Sequence, residues 1–426
     1  MTALRPLSAD HVKVGGWGPT SKPPWTEARD VQSYGSMQER SAPEVFLAFL
    51  KLGLTSFGGP IAHLGYFRDE CVVRRRWVDD SVYTDLVALC QFLPGPASSQ
   101  VGFSLGLIRA GYRGGLAAWA GFTLPSAMLM TAFAYGGGSL GGRLGTGVLH
   151  GLKLVAVVIV AQAVWGMART LCPDRERASI GAGAAVIILL VSSTTTQIGV
   201  IVMGGFAGRW LCRAGTVAVA GSLGMPVSRR VGLLALLGYL LGLLVLPPLC
   251  AHSPDLQLFH AFYRSGALVF GGGHVVLPLL SNAFVGPGWV NEQSFLAGYG
   301  AAQALPGPLF TFAAYLGALA APSPNRVAGP LFGVIGIFLP GMLVLVGALP
   351  FWDAIRRKSD VQASMRGVNA AVVGLLGATL YNPLVITSVH SAGDVALVLA
   401  GFIVAVAWRV PPVLIVIGGA LGGIWL

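Results

Sequence analysis

The chain has 426 residues, of which 54% are hydrophobic and 11% are charged. Soluble domains carry about 25% charged residues, so this composition, with a mean hydropathy of +0.71, excludes an ordinary soluble enzyme or binding module. The net charge of +11 would favour nucleic-acid binding in a soluble protein. Here the basic residues lie mostly between apolar segments, where membrane topology places them.

Residues 1–41 are polar and contain no apolar stretch of the kind found in secretory signals. We predict that they form a flexible cytoplasmic tail. The rest of the chain is expected to comprise an N-terminal transporter repeat, 42–212, a linker with one membrane segment, 213–257, and a C-terminal transporter repeat, 258–426.

Thirteen apolar segments follow the tail, and crossing a bilayer takes about 20 apolar residues. They lie near residues 42–65, 81–109, 115–138, 147–169, 178–195, 197–212, 231–250, 258–284, 293–320, 328–351, 364–388, 391–408 and 410–426. The sequence therefore predicts an all-α polytopic membrane protein with about thirteen transmembrane segments.

The distribution of arginines tests this count. With the N-terminus in the cytoplasm, most of the basic loops fall on the cytoplasmic side, as the positive-inside rule requires. The exception is loop 66–80, which the count places outside although it holds Arg68, Arg74, Arg75 and Arg76. The alternative is that segment 42–65 is a re-entrant hairpin, which would shift the side of everything after it.

An internal repeat relates the two halves. Residues 49–59 (FLKLGLTSFGG) align with residues 262–272 (FYRSGALVFGG), and residues 91–96 (QFLPGP) align with residues 303–308 (QALPGP). Further pairs are Trp77 with Trp289, Leu124-Pro125 with Leu339-Pro340, and Gly151 with Gly367. The offset stays between 212 and 216 residues. One linker segment, 231–250, separates the halves, so we expect inverted repeats with a site near the membrane midplane.

Two sets of helix breaks recur in both halves. Gly58-Gly59-Pro60 corresponds to Gly271-Gly272-Gly273, and Pro94-Gly95-Pro96 corresponds to Pro306-Gly307-Pro308. Irregular backbone at membrane depth occurs where it is buried in protein or lines a cavity. A helix that begins there offers free N–H groups and a positive dipole end to an anion. We predict that two such half-helices face one anion; the alternative is that the prolines only kink helices.

Charged and polar side chains near the breaks complete the predicted substrate site. Lys51 and Arg264 are repeat-equivalent cations that attract an anion or, alternatively, extend to the membrane interface. His63 and His274 are candidates for binding substrate or protons, with a structural role as the alternative. The remaining predicted site residues are Gln91, Gln303, Ser98 and Thr311, as hydrogen-bond donors, packing groups or helix caps.

Absent motifs narrow the function. No acidic residue lies deep in an apolar segment, although cation-coupled carriers usually place acids there. The five cysteines have no zinc or disulfide spacing, and no phosphate-binding loop or hydrolase motif occurs. We expect a transporter of an anion, without a cofactor or metal, rather than an enzyme.

As a set, FxKLGxxSFGGP, a Trp-containing loop and QxLPGP, repeated about 212 residues on, resemble the chromate ion transporter family in its long, two-domain form. The resemblance covers roughly residues 42–390. It implies a multi-pass protein of the bacterial inner membrane that exports chromate and confers chromate resistance. Its partners would be the oxyanion and the lipid bilayer, with no nucleic acid. Sulfate or another oxyanion is the alternative substrate.

Membrane potential favours export of such an ion. Moving one charge across 100 mV is worth about 2.3 kcal/mol, and chromate near neutral pH is largely a dianion. We therefore expect efflux driven by the potential, with proton antiport through His63, His274 or the acidic residues of loop 66–80 as an addition that the sequence leaves open. A channel and a membrane-embedded enzyme are the alternatives from other classes.

Overall fold

The computed structural model describes residues 41–57, 59–136, 142–191, 193–213, 227–249, 253–270, 275–320, 327–355 and 358–425. Within these ranges the chain forms helices and no β-strand, which confirms the all-α fold class. The predicted tail, Gly58, the glycine run 271–273 and His274 lie outside the described residues.

Within the described ranges, the first repeat and the linker form a series of helices. They are α1 (Ala42–Thr55), α2 (Gly59–Phe67), α3 (Asp80–Phe92), α4 (Ala97–Gly136), α5 (Gly142–Leu171), α6 (Arg175–Leu190), α7 (Thr194–Leu211), α8 (Arg229–Leu244) and α9 (Leu246–Leu249). A π-helical segment, Arg68–Arg74, continues α2.

The second repeat follows the same order. Its helices are α10 (Pro254–Ala267), α11 (Val276–Leu280), α12 (Glu292–Ala302), α13 (Phe312–Ala320), α14 (Ala328–Ala348), α15 (Trp352–Ile355), α16 (Ser359–Thr379), α17 (Ile386–Ser388), α18 (Ala392–Val406) and α19 (Pro412–Trp425). Both repeats begin with a serine cap, since Ser41 and Ser253 accept backbone N–H groups at the starts of α1 and α10.

The first apolar segment is a re-entrant hairpin. Helix α1 has 14 residues, a rise of about 21 Å that is too short for a hydrocarbon core of about 30 Å. The Phe49 and Phe67 rings lie 5.3 Å apart, and Arg75 pairs with Glu44 at 3.1 Å. Because contacts join the start of α1 to the segment that follows α2, the two helices run antiparallel and return to one side.

Helix α3 and the beginning of α4 form a second hairpin. The Arg109 guanidinium lies 5.7 Å from the centre of the Trp77 ring and 3.1 Å from the Glu44 carboxylate. Trp77 precedes α3 and Arg109 ends the first arm of α4, so both ends of this hairpin lie beside the base of the first one. Its apex is the Pro94–Pro96 break.

Helix α4 itself turns back on its path. Its backbone leaves helical angles at residues 110–111, and Gly106 packs against the backbone of Gly114. Residues 97–109 and 112–136 are therefore antiparallel arms, and the second arm is long enough to cross a membrane. The second repeat has matching hairpins, with the Phe262 and Phe284 rings 4.5 Å apart.

In the described part of the chain, four helices are long and apolar enough to cross a membrane: Ala97–Gly136, Gly145–Leu171, Ala328–Phe351 and Ser359–Ser388. The predicted thirteen crossings are not confirmed, because segments 42–65 and 81–109 are hairpins that return to their starting side. Loop 66–80 therefore lies on the same side as Glu44, which removes its conflict with the positive-inside rule. Helix α8 of the linker has 16 residues and is not among these four, so a single linker crossing stays a prediction.

Equivalent contacts relate the repeats by a pseudo-two-fold axis. Gly151 of α5 packs on Gly419 of α19, and its counterpart Gly367 of α16 packs on Gly204 of α7. Thus the last helices of each repeat cover the long helix of the other repeat, and the halves are interlocked rather than side by side.

One pair of symmetry-related interfaces breaks this symmetry. Helix α12 packs on α5, where a side chain at Gly300 would collide with the Leu152 carbonyl. Within the described ranges, α3 has no comparable packing on α16. Consequently Thr84, Ala88 and Gln91 of α3 are exposed. We call α5–α12 the closed seam and α3–α16 the open seam.

Candidate functional site

The two Pro-Gly-Pro breaks cross over between the repeats. The Gly95 N–H donates to the Val269 carbonyl at 2.7 Å, and the Gly307 N–H donates to the Ser56 carbonyl at 3.0 Å. Val269 and Ser56 are repeat equivalents at the apices of the first hairpins. Each break is therefore held by the hairpin apex of the opposite repeat, at the pseudo-two-fold axis.

Glycine is required at both breaks. Gly95 has φ +117° and Gly307 has φ +94°, a region that L side chains rarely adopt. A Cβ at Gly95 would lie 2.8 Å from the Gly341 Cα, and one at Gly307 would lie 2.8 Å from the Ser126 Oγ. Ser126 and Gly341 each follow the proline of a long helix, so the close approach is also repeated.

Polar side chains of the first repeat gather at this crossing. His63 is 1% exposed, its Nδ1 lies 3.5 Å from the Ser98 Oγ, and its ring packs edge-on against Phe122. The hydroxyls of Ser56 and Thr123 are buried without a hydrogen-bond partner among the described residues. We call Ser56, His63, Ser98, Thr123 and Ser126, with the Gly307 backbone, the apex site.

The apex site is unequal between the repeats. The offset pairs Ser98, Thr123 and His63 with Phe310, Phe338 and Val276, three buried apolar residues. The expectation of two matching half-helices around one anion is therefore modified, because among the described residues the side-chain donors of the apex site come from the first repeat. Unsatisfied buried hydroxyls of this kind call for a ligand or ordered water.

Helices begin immediately after both breaks, as the sequence predicted. Helix α4 starts at Ala97, and the 3₁₀ turn Leu309–Thr311 leads into α13. The glycine amides of the breaks are occupied by carbonyls of the opposite repeat, so they are not free for an anion. In α4 the free donors are the N–H groups of the first turn, whereas the Thr311 hydroxyl is satisfied by the Pro308 carbonyl at 2.8 Å.

Several predicted site residues lie away from the crossing. Gln91 is exposed on α3, while the Nε2 of its counterpart Gln303 is buried without a partner among the described residues. Gly59 begins α2 with φ +77° and open space around it. Lys51 pairs with Glu70 at 3.7 Å, and Arg264 lines a separate cavity.

Glu70 organises a charge network at the base of the first hairpin. Its side chain is buried and accepts hydrogen bonds from Arg74 and from the Arg75 Nε, the latter at 2.7 Å. Burial alone would raise the pKa of Glu70, but the hydrogen bonds from Arg75 and Arg74 outweigh it and hold this pKa below its ordinary value. Lys51 thus lies beside a carboxylate of its own repeat, which it shares with Arg74 and Arg75.

Buried polar residues outside the motifs escaped the sequence analysis. Gln100 bridges the crossing, since its Nε2 donates to the Pro94 carbonyl at 2.9 Å and to the Gly341 carbonyl at 2.8 Å. Asp394 is buried and accepts from the His150 Nε2 at 2.7 Å. A polar residue in an apolar run was the available signal for Gln100, but its partner lies 241 residues away.

A family model described as "Chromate transporter" matches residues 43–209 and 256–424. The chain is 28% identical to a protein of Pseudomonas aeruginosa named chromate transport protein, over 94% of this chain and 96% of the relative. It is 26% identical to a probable chromate transport protein of Synechococcus elongatus, over 88% and 93%. It is also 26% identical to a chromate transport protein of Cupriavidus metallidurans, over 78% and 80%. No solved structure matches the chain significantly.

Proposed function

The chain belongs to the chromate transporter family, and from this premise we propose that it is a secondary carrier that exports chromate through the apex site. The single observation that carries the mechanism is the inequality of two symmetry-related seams. In a pseudo-symmetric carrier, one closed and one open seam correspond to one of two alternating states.

The apex site supplies the ligand chemistry for this proposal. Its five side chains are at most 4% exposed, so an ion there is shielded from water and meets hydroxyls, an imidazole and a helix N-terminus. Such donors suit a tetrahedral oxyanion. A sealed site favours a carrier that binds and releases one ion at a time over an open channel.

Exchange of the two seams would move the ion across. The open seam lies beside loop 66–80, whose arginines favour the cytoplasmic side. In the opposite state α3 packs on α16, and α12 separates from α5. Ala88 then lies against Val368, just as Gly300 lies against Leu152 in the state described here. The outward step releases a dianion down the membrane potential, worth about 2.3 kcal/mol per charge for each 100 mV.

Direct transport assays test this function. We expect inverted inner-membrane vesicles that hold the wild-type chain to accumulate chromate when the interior is made positive. Ala88→Trp should abolish accumulation, because a large side chain keeps the open seam from closing, with unchanged protein level. Leu233→Trp, at an exposed position of α8 outside the seams, is the control. Equal activity of Ala88→Trp and wild type would contradict the seam exchange.

Competition and pH separate the remaining alternatives. If chromate is the preferred ion, a tenfold excess of sulfate leaves accumulation largely intact; a sulfate carrier loses it. Proton antiport through His63 requires that an imposed pH gradient drives chromate movement in wild type and not in His63→Gln. Movement that follows only the electrical potential in both proteins would show that no proton is exchanged.

A further inference from the structure

The second repeat contains a cavity at the position where the first repeat has a network of ion pairs. The cavity has a volume of about 340 Å³ and is lined on one side by Gln257, His260 and Arg264 of α10. Asn282 and Trp289 line the facing side. A water molecule occupies about 30 Å³ of liquid, so the cavity has room for a tetrahedral ion with several waters.

The repeat equivalents of these residues form the ion-pair network of the first hairpin. Counting from the tryptophan pair Trp77 and Trp289, Glu70 corresponds to Asn282. Counting from the cation pair Lys51 and Arg264, Glu44 corresponds to Gln257. Both carboxylates of the first repeat are thus replaced by carboxamides in the second. The cation is retained, as Lys51 in one repeat and Arg264 in the other.

This exchange leaves Arg264 without a carboxylate partner among the described residues. Among the described residues no carboxylate pairs with Arg264, whereas Lys51 lies 3.7 Å from Glu70. The Asn282 Nδ2 is buried and has no hydrogen-bond partner in the described part of the chain. His260 lies one helical turn before Arg264 on the same face. A structural ion pair would satisfy its own donors and charges. Here the Asn282 Nδ2 and Arg264 have no such partner among the described residues.

We propose that this cavity binds an oxyanion on the Arg264 guanidinium and the Asn282 amide, separately from the apex site. A guanidinium and an amide supply several N–H donors to adjacent oxygens of a tetrahedral ion. The cavity opens at the base of the α10–α11 hairpin, the counterpart of the side that bears loop 66–80. The role as an exit station for the carried ion rests on the proposed function, whereas the binding itself does not.

Restoring the carboxylate of the first repeat tests the site. Asn282→Asp places an acid beside Arg264 without changing the size of the side chain. In nanodiscs of phosphatidylcholine, the wild-type chain should bind radiolabelled sulfate with one more ion per chain than Asn282→Asp, whose affinity at the cavity falls at least tenfold. Asn291→Asp adds the same charge at an exposed helix cap and should bind like the wild type.

A lipid headgroup phosphate has the same chemistry as the free ion, and nanodiscs with phosphatidylglycerol separate the two sources. If the headgroup is the occupant, this lipid remains bound to the wild type in mass spectrometry, displaces sulfate and is lost from Arg264→Gln, which supports the oxyanion site. Equal sulfate stoichiometry in wild type and Asn282→Asp, with no lipid retained on Arg264, overturns it.

The binding measurement is independent of transport. Ala88→Trp lacks transport in the proposed function but keeps the cavity, so it should bind sulfate at the cavity like the wild type. A chain that binds sulfate there but moves no chromate in vesicles would sink the proposed function and leave the cavity site standing.

Discussion

Single glycines set the geometry of the crossing. Gly307 lies at φ +94°, and a Cβ added to it would lie close to the Ser126 hydroxyl and the Phe122 carbonyl. Its N–H holds the first hairpin through the Ser56 carbonyl. A side chain at Gly307 would be strained by the backbone conformation and crowded by these neighbours. This single residue therefore decides whether the two repeats can come into contact.

We expect Gly307→Ala to destabilise the protein and to abolish chromate transport. The positive φ alone costs about 1–2 kcal/mol, and the Cβ must also displace Ser126. Gly288→Ala is the matched control, since Gly288 has φ +78° but open space around it and carries only the backbone cost. Thermal unfolding in detergent should show a larger loss for Gly307→Ala; equal losses would contradict the crowding.

Glu70 gives a residue-scale prediction with a pH dependence. Its pKa is lowered from an ordinary 4.5, so its stabilising effect is complete above that value and is lost as the pH falls through the folded-state pKa. Glu70→Gln should cost about 1–3 kcal/mol at pH 7, the range for removing a charged hydrogen-bond partner. The gap in thermal midpoint between wild type and Glu70→Gln should close on acidification below pH 4.5. A constant gap would contradict this linkage.

At the scale of elements, the short helices matter more than the long ones. Helices α1 and α3 are too short to span and reverse at glycine and proline breaks, while the second arm of α4 and α5 provide the crossings. The breaks are thereby delivered to the interior, where each finds its partner from the other repeat. Complete transmembrane helices at these positions could not form the crossing.

Topology mapping checks the hairpins. Reporter fusions in loop 66–80 and at residues 110–113 should give the same, cytoplasmic, signal, since Arg75 and Arg109 both contact Glu44. A fusion at residues 137–141 should give the opposite signal, because one full crossing intervenes. Opposite signals from the first two positions would restore the thirteen-segment count.

At the scale of the whole molecule, the two repeats interlock, because the last helices of each pack on the other. Helices α18 and α19 cover α5, and α6 and α7 cover α16, so each covering pair packs on the long helix of the other repeat. In the proposed function, the two seams are symmetry equivalents, so one exchange of the seams interconverts the two states.

A disulfide trap tests that exchange. After replacement of the five native cysteines, the pair Ala88→Cys and Val368→Cys should cross-link slowly in the state described here, in which α3 is open. Chromate under a membrane potential should raise the rate several-fold, because turnover populates the closed α3–α16 seam. The single-cysteine proteins give the background. A rate that is high from the start and insensitive to chromate would contradict the open seam.

The sequence by itself determined the helical membrane fold, the duplication and the four helix breaks, because hydropathy, glycine and proline act locally and recur at one offset. The sequence also showed that the arginines of loop 66–80 conflict with the positive-inside rule, but not how this conflict is resolved. Only the tertiary structure decided that segments 42–65 and 81–109 reverse direction. The reason is that an apolar run has the same composition whether it crosses a membrane or turns back within it.

The candidate site was likewise predicted in part from the sequence and decided in part by the tertiary structure. Pro94–Pro96 and Pro306–Pro308 were found from the sequence, since a matched break is visible in one dimension. The sequence did not show that the glycines of these breaks donate hydrogen bonds to Val269 and Ser56 of the opposite repeats. Hydrogen bonds between such distant parts of the chain depend on how the halves interlock. Likewise the repeat aligns Lys51 with Arg264, but only the contacts show that Lys51 lies beside Glu70, whereas no described carboxylate pairs with Arg264.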